Sequence, residues 1–175
     1  MTTFIEGGVT AAKGFQAAGV HCGIRKNRAK KDLGLIVSDR PASAAAVYTR
    51  NLVKGAPLTV TQAHIADGRA RAIVCNSGIA NTCAFDGIEK AEAMCALTAE
   101  ALGIDAADVV VASTGVIGPS IDIAPIAAGL PRLAAALSAQ GSADAAEAIM
   151  TTDTHKKEFA VTFQADGRTC TLGGI

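Results

Sequence analysis

The chain has 175 residues, with 16 basic and 16 acidic side chains, and half of its residues are hydrophobic. The balanced charge argues against a nucleic-acid-binding protein, which carries a basic surface, and against an acidic disordered tail. The length is sufficient for one domain with a substantial core, or for two small lobes. Because Trp is absent and Tyr occurs once, the core is predicted to consist mainly of Ala, Val, Ile and Leu.

The cysteines predict neither a zinc site nor a disulfide framework, because their number is odd and no two are separated by only two residues. They are Cys22, Cys75, Cys83, Cys95 and Cys170. Scattered free thiols are typical of a reducing compartment, so we expect a cytoplasmic protein without a bound metal. The first residues lack the basic and apolar regions of a signal peptide. No apolar run reaches the ~18 residues of a membrane span.

In the first half of the chain the pattern predicts mainly short strands. Residues 13–23 are predicted to be loop and short strand. Residues 33–49 are predicted to form an antiparallel hairpin, with a turn at 39–41 and the partner strand over 44–49. The next predicted elements are a short strand or strand edge over 57–61, a short helix over 62–68 closed by Gly68, and a buried strand over 70–75.

In the second half helices predominate. A helix is predicted to begin at 86–89 and to run through Leu102, with Gly103 as its end. Its apolar face is predicted to contain Ile88, Ala91, Cys95, Thr98 and Leu102. Further predicted elements are a helix over 123–139 with a kink at Pro131, a helix over 143–150 and a hairpin over 158–172. Hairpins at both ends with βα units between them predict a mixed α/β fold, in which helices cover the sheets.

A buried strand over 109–112 is followed by a segment rich in Ser, Thr and Gly, over 113–118. These residues are predicted to form a turn before the next helix. Such a turn leaves backbone N–H groups free, and these groups favour a phosphate, a carboxylate or the oxyanion of a reaction intermediate. The alternative is an ordinary strand-to-helix connection without a ligand.

A second polar segment follows the strand over 70–75, and it contains Asn76, Ser77, Gly78 and Asn81. These side chains are dense in hydrogen-bonding groups, although they are also typical of a simple turn. If both strands end at one edge of the sheet, the two polar segments line one crevice, which is the usual ligand site of an open α/β sheet.

Two further features receive a structural interpretation. His21 lies in an apolar segment without an acidic neighbour in sequence, so a structural role is favoured over that of a catalytic base. The basic residues within 25–31 are expected to form a solvated loop, with an anionic partner as the alternative.

Seven segments taken together, in order and over essentially the whole chain, resemble the alpha chain of the ornithine acetyltransferase (glutamate N-acetyltransferase) family of arginine biosynthesis. They are residues 7–10, 13–20, 32–39, 76–81, 112–118, 148–154 and 173–174. The resemblance implies a precursor that cleaves itself before a threonine, which becomes the nucleophile of a separate beta chain. It also implies the layered α-β-β-α fold of self-processing acyltransferases, completed by that beta chain.

The resemblance further implies a double displacement, in which the acetyl group moves from N-acetylornithine to glutamate through an acetyl-threonine. The Thr114 hydroxyl and the Gly115 N–H would stabilise the oxyanion, and Thr151 would contact the substrate. No cofactor is implied, although acetyl-CoA is a possible donor in the family. The expected assembly has two alpha and two beta chains, and residues 1–175 are expected to lack the end of the alpha chain.

One residue departs from the family pattern, because Ile79 stands where the family usually has an asparagine. This change removes one polar group near the predicted site. Two alternatives to the transferase remain open at this point. One is a self-cleaving amidohydrolase or aminopeptidase chain, and the other is a non-catalytic small-molecule-binding domain.

Overall fold

The computed structural model describes residues 2–175, which form seven strands, four α-helices and two short 3₁₀ turns. The strands are β1 (Thr2–Ile5), β2 (Phe15–Val20), β3 (Leu33–Ser43), β4 (Arg69–Ile79), β5 (Val109–Val116), β6 (Phe159–Ala165) and β7 (Arg168–Gly174). The helices are α1 (Ala56–His64), α2 (Gly87–Leu102), α3 (Ile123–Ala135) and α4 (Ser142–Ala148). The predicted mixed α/β fold is confirmed.

The larger sheet has four strands in the order β2-β3-β4-β5. The first two pairs are antiparallel, whereas β4 and β5 are parallel. Parallel neighbours need a long crossover, and helix α2 supplies it. Gly103 ends this helix in the left-handed conformation, with φ of 64°, and the Ile104 N–H returns to the Ala99 carbonyl. The crossover brings the carboxyl ends of β4 and β5 to the same edge of the sheet.

One face of this sheet forms the main core with helices α1, α2 and α3. Side chains alternate along β4, so Ala72 and Val74 are buried in this core while Ile73 points to the other face and is 40% exposed. From the helices, Met94, Ile126, Leu130 and Leu133 are fully buried against the sheet. The core is therefore aliphatic, as the composition predicts.

The opposite face is covered only in part, by the short helix α4. Close approach requires glycine here, because a Cβ on Gly19 would lie 2.1 Å from the Asp144 carbonyl oxygen. Next to α4 the face remains an open apolar groove, lined by Ile36, Ile73, Cys75, Ala112 and Ile175 among others. We call this surface the open sheet face.

The smaller sheet has the order β1-β6-β7 and is antiparallel throughout. Strands β6 and β7 form the predicted C-terminal hairpin, which turns at Asp166 and Gly167, both with positive φ. The Ser142 hydroxyl connects α4 to this part of the molecule, since it accepts the Val9 N–H and donates to Glu158.

Two predictions for the first half of the chain are wrong. Residues 57–61 belong to helix α1 rather than to a strand, because Pro57 is well suited to a first helical turn and Val60 and Thr61 are buried there. The hairpin over 33–49 does not form, because β3 continues to Ser43 with an irregularity between Val37 and Ala42. Pro41 is accommodated at this bulge, where a missing N–H is tolerated.

Other boundaries differ less. Helix α2 is confirmed, although Ile88 on its predicted apolar face is 46% exposed. Helix α3 contains Pro131 but ends at Ala135, after which Ser138 forms a bridge to Ala17. Helix α4 covers Ser142–Ala148. Within residues 2–175, no helix has both the length and the apolar character needed to cross a lipid bilayer.

Candidate functional site

Strands β4 and β5 run side by side through both polar segments. They pair in parallel, with Asn76 opposite Ser113, Ser77 opposite Thr114, and Gly78 opposite Gly115. The predicted turn over 113–118 begins later than expected, because strand pairing continues to Val116 and, in the second polar segment, to Ile79. The two segments nevertheless lie together at one edge of the sheet, as the crevice prediction requires.

Two glycines allow the strands to approach at this point. Gly78 and Gly115 both have positive φ, 110° and 130°. A Cβ on Gly115 would lie 2.3 Å from the Gly78 carbonyl carbon, closer than any side chain permits. Both the backbone angle and the close contact therefore require glycine at position 115.

The polar side chains of this region are deeply buried. Asn76, Ser77 and Asn81 are fully buried, and the two asparagines donate to the carbonyls of Ile79 and Gly87, at 3.0 and 2.9 Å. Four of the buried side-chain oxygens have no hydrogen-bond partner among residues 2–175: Asn76 Oδ1, Ser77 Oγ, Asn81 Oδ1 and Ser113 Oγ. Unpaired buried oxygens are costly, and their concentration at one place is typical of a functional site rather than of a simple core.

Thr114 and Gly115 are accessible, in contrast to their buried neighbours. Thr114 is half-buried and Gly115 is exposed. Val116 and Ile117, which follow them, are 60% and 62% exposed. A molecule or a second chain can therefore reach these two residues.

Helix α1 holds the outer edge of β5. The Thr61 hydroxyl donates to the Val111 carbonyl at 2.9 Å and accepts the Val111 N–H at 3.2 Å. One turn later, His64 Nδ1 lies 2.8 Å from the Val109 carbonyl oxygen. These side chains bond backbone groups of Val109 and Val111 at the outer edge of β5. The segment with Thr114 and Gly115 extends beyond them.

Thr151 lies three residues beyond the end of α4, in a segment without regular secondary structure. Its N–H donates to Asp153 Oδ2 at 3.2 Å. Lys157 contacts the same carboxylate, and this hydrogen bond, together with that from Thr151, lowers the pKa of Asp153. The Thr151 carbonyl accepts a hydrogen bond from Arg25, which also lies against Gly78. Arg25 thus connects the Thr151 segment with β4.

Two residues without a recognisable functional pattern also contribute to this arrangement, Arg25 and the fully buried Asp32. Arg25 belongs to the basic segment that is predicted to be a solvated loop, and no periodicity distinguishes either residue from its neighbours. His21 contacts the Lys30 carbonyl oxygen at 2.9 Å and Asp32 at 3.2 Å, in the same loop. The acidic neighbour that His21 lacks in sequence is therefore supplied by the fold.

Three of the five thiols are shielded from solvent in a way that disfavours ionisation. Burial raises the pKa of Cys22, Cys75 and Cys95 to about 12 in each case, and Asp32 adds to the effect at Cys22. These thiols stay protonated near neutral pH, which disfavours them as nucleophiles. Among residues 2–175, no group of three or more His, Cys, Asp or Glu side chains is arranged to hold a metal ion.

The fold and the paired polar strand ends define a mixed α/β chain with a candidate ligand site at one sheet edge. Comparison with known proteins identifies its family. The model of the ArgJ family matches residues 16–175, so the chain belongs to the ArgJ family. The proteins called arginine biosynthesis bifunctional protein ArgJ from Symbiobacterium thermophilum and Bacillus subtilis are 48% and 44% identical, over 98% and 97% of this chain.

The solved structures agree with this assignment. Arginine biosynthesis bifunctional protein ArgJ from Bacillus halodurans superposes with a TM-score of 0.92 at 43% identity, covering 99% of this chain and 92% of that chain. Ornithine acetyltransferase from Mycobacterium tuberculosis, solved in complex with ornithine, gives 0.90 at 36% identity, covering 99% and 94%. By contrast, the chain spans only 43% and 41% of the two curated relatives, less than half of each.

Proposed function

We propose that residues 1–175 form the alpha-chain portion of an acetyltransferase that moves an acetyl group from N-acetylornithine to glutamate. The pairing of Ser77-Gly78 with Thr114-Gly115 carries this proposal, because it presents a hydroxyl and a backbone N–H at an accessible strand end. Membership of the ArgJ family supports the substrate class. So does the ornithine complex of the Mycobacterium tuberculosis relative.

The chemistry follows from these groups. A threonine of a partner beta chain attacks the acetyl carbonyl, its own α-amine serving as base, and ornithine leaves. Glutamate then accepts the acetyl group from the threonine. Backbone groups alternate along a strand, so the N–H groups of residues 113 and 115 face the same edge as that of Val111. Thr61 bonds the Val111 N–H and not that of Gly115, and the Gly115 N–H is proposed to bind the oxyanion together with the Thr114 hydroxyl.

Thr151 is the proposed substrate-contacting residue, and Asn76, Ser77, Gly78 and Asn81 line the site. Ile79 does not interrupt this lining, since its backbone carbonyl accepts from Asn76 and its strand pairing is regular. The mechanism requires no cofactor, and acetyl-CoA is an optional second donor.

The partner is proposed to be a beta chain from the same precursor, in an assembly of two alpha and two beta chains. Two observations support it. The chain spans less than half of its curated relatives but more than nine-tenths of the matched chains in both solved structures. The open sheet face is apolar, and an exposed apolar groove of this kind is typical of an interface. A second sheet on this face would complete the α-β-β-α layers.

The proposed location is the cytoplasm, because scattered free thiols are typical of a reducing compartment.

The first experiment is intact-mass analysis and N-terminal sequencing of the chains that co-purify with this one from full-length precursor. A second chain that begins with threonine, and that gains the mass of one acetyl group with N-acetylornithine, is expected. A stable single chain that never acquires an acetyl group would contradict the acyltransferase and favour the binding-domain alternative.

Substitution of Thr114 tests the oxyanion role. Thr114→Ala is expected to lower kcat by about 10²–10³, which is typical for loss of one oxyanion donor. Thr114→Ser keeps the hydroxyl and is the matched control, with activity close to that of the natural enzyme. Thermal unfolding should be nearly unchanged in both variants. Natural turnover by Thr114→Ala would show that the hydroxyl has no part in the reaction.

The hydrolase alternative differs in the acceptor, because water would then replace glutamate. Release of ornithine is therefore measured with and without glutamate. We expect glutamate to accelerate release and to appear as N-acetylglutamate. Equal release with free acetate as the product would identify a hydrolase instead.

A further inference from the structure

Arg25 spans two parts of the candidate site that are distant in sequence. Its guanidinium donates to the carbonyls of Met150 and Thr151, at 2.7 and 3.3 Å from Nη1 and Nη2. Its aliphatic stem packs at β4, where a Cβ on Gly78 would lie 3.1 Å from Arg25 Cγ. Because Gly78 is opposite Gly115, a single side chain connects the Thr151 segment to the strand pair that carries Thr114 and Gly115.

The loop that carries Arg25 is itself held by a buried carboxylate. Asp32 is fully buried, and it accepts the backbone N–H groups of Cys22, Gly23 and Arg25, at 2.6, 3.2 and 2.9 Å. Three donors satisfy most of the acceptor capacity of one carboxylate, which explains how it is tolerated in the core. The backbone of Arg25 is thus anchored by the same group that fixes the turn before it.

We infer that Arg25, anchored by Asp32, is a positioning residue that holds Thr151 at a fixed distance from the Thr114–Gly115 strand. The role of Thr151 rests on the proposed function, whereas the positioning itself is a property of the fold. The 151–157 segment has no regular secondary structure. Without the guanidinium, its orientation toward β4 depends on the remaining contacts of an exposed segment.

The geometry of arginine matters here more than its charge. A planar guanidinium presents several N–H groups in a rigid fork and bonds two consecutive carbonyls at once, while a lysine ammonium is a point donor on a flexible stem. Arg28, in the same basic loop, is exposed and has no hydrogen bond or ion pair with the described residues. It is therefore a matched control for the loss of one positive charge.

The test compares Arg25→Met, Arg25→Lys and Arg28→Met in the full-length, processed protein. Loss of an interaction that binds ground state and transition state equally raises KM and leaves kcat nearly unchanged. Arg25→Met is expected to raise the KM for N-acetylornithine by about tenfold, the effect of losing hydrogen bonds from a charged donor. The KM of Arg25→Lys should lie between those of Arg25→Met and the natural protein. The KM of Arg28→Met should equal that of the natural protein.

Hydrogen exchange supplies a readout that does not depend on the reaction. Amides of residues 151–154 are expected to exchange faster in Arg25→Met than in Arg28→Met, while those of β4 and β5 keep their protection. A protein that transfers no acetyl group would refute the proposed function, yet the exchange data would still decide the positioning role. Exchange and KM equal to those of Arg28→Met would overturn the inference.

A double-mutant cycle with Asp32→Asn tests the anchor. If Asp32 acts through Arg25, the effects of the two substitutions on KM should be far from additive, because the second change removes an interaction that is already lost. Additive effects would show that Asp32 and Arg25 act independently, and would overturn the inference that Asp32 anchors Arg25. If Arg25→Met does not fold, Arg25→Lys replaces it in every comparison, and a natural KM for that variant would refute the positioning role.

Discussion

At the scale of single residues, position 115 shows how a glycine is required twice. Its φ of 130° is unfavourable for any residue with a Cβ, and the Gly78 backbone occupies the space that a Cβ needs. Gly118 has a similar φ of 107° but no atom within 4 Å of a built Cβ. Gly118 therefore avoids backbone strain alone, whereas Gly115 avoids both backbone strain and a steric clash.

Substitution of these glycines tests that distinction. Gly118→Ala is expected to cost only backbone strain, about 1–3 kcal/mol. Gly115→Ala should be more destabilising, since it also forces β4 and β5 apart, and it should abolish the proposed acetyl transfer. Urea unfolding and kinetic assays of the two variants measure both effects. Equal free energies of unfolding would show that the Gly78 contact is relaxed at little cost.

At the scale of elements, strand β5 is an edge strand whose first half is completed by helix α1. Thr61 both donates to and accepts from Val111, so the helix takes the place of a missing neighbouring strand. The local sequence of 57–61 favours a strand, and the prediction fails because Thr61 is used for this tertiary contact. Edge strands that are covered in this way are protected from pairing with other chains.

The contribution of this contact is measurable. Thr61→Val keeps the shape of the side chain but leaves the buried Val111 N–H and carbonyl without partners, at an expected cost of about 2–4 kcal/mol. Thr59→Val, at an exposed position of the same helix, controls for the change in helix propensity. Chemical denaturation should place Thr61→Val well below Thr59→Val in stability. Similar denaturation midpoints for the two variants would mean that the Val111 N–H and carbonyl find other hydrogen-bond partners.

At the scale of the whole molecule, one face of the larger sheet is packed and the other is largely open. Helices α1, α2 and α3 bury the first face, whereas the open sheet face around Ile73 is covered only in part, by α4 and the end of β7. Further apolar side chains are exposed away from this face, among them Leu52 and Phe85, at 97% and 98%. This distribution supports the proposed beta-chain partner, which would cover the exposed apolar surface.

Residues 1–175 produced alone are therefore expected to bind an apolar dye and to aggregate. Coexpression with the proposed beta chain should abolish dye binding and aggregation, because that chain would bury the open sheet face. Analytical ultracentrifugation and dye fluorescence of the two preparations provide the comparison. A monomeric, non-aggregating chain with no dye binding would contradict the obligate partner.

Local sequence patterns are sufficient to predict the mixed α/β class, helix α2 and the C-terminal hairpin, because periodicity and turn residues are local properties. They also mark Asn76–Asn81 and 113–118 as polar ends of buried strands. Long-range packing, in contrast, determines that β4 and β5 pair through Gly78 and Gly115, that 57–61 is helical, and that β3 continues past Pro41. The contacts of Arg25 and Asp32 also depend on the tertiary structure. A buried carboxylate and a long-range guanidinium contact join residues that no local pattern connects.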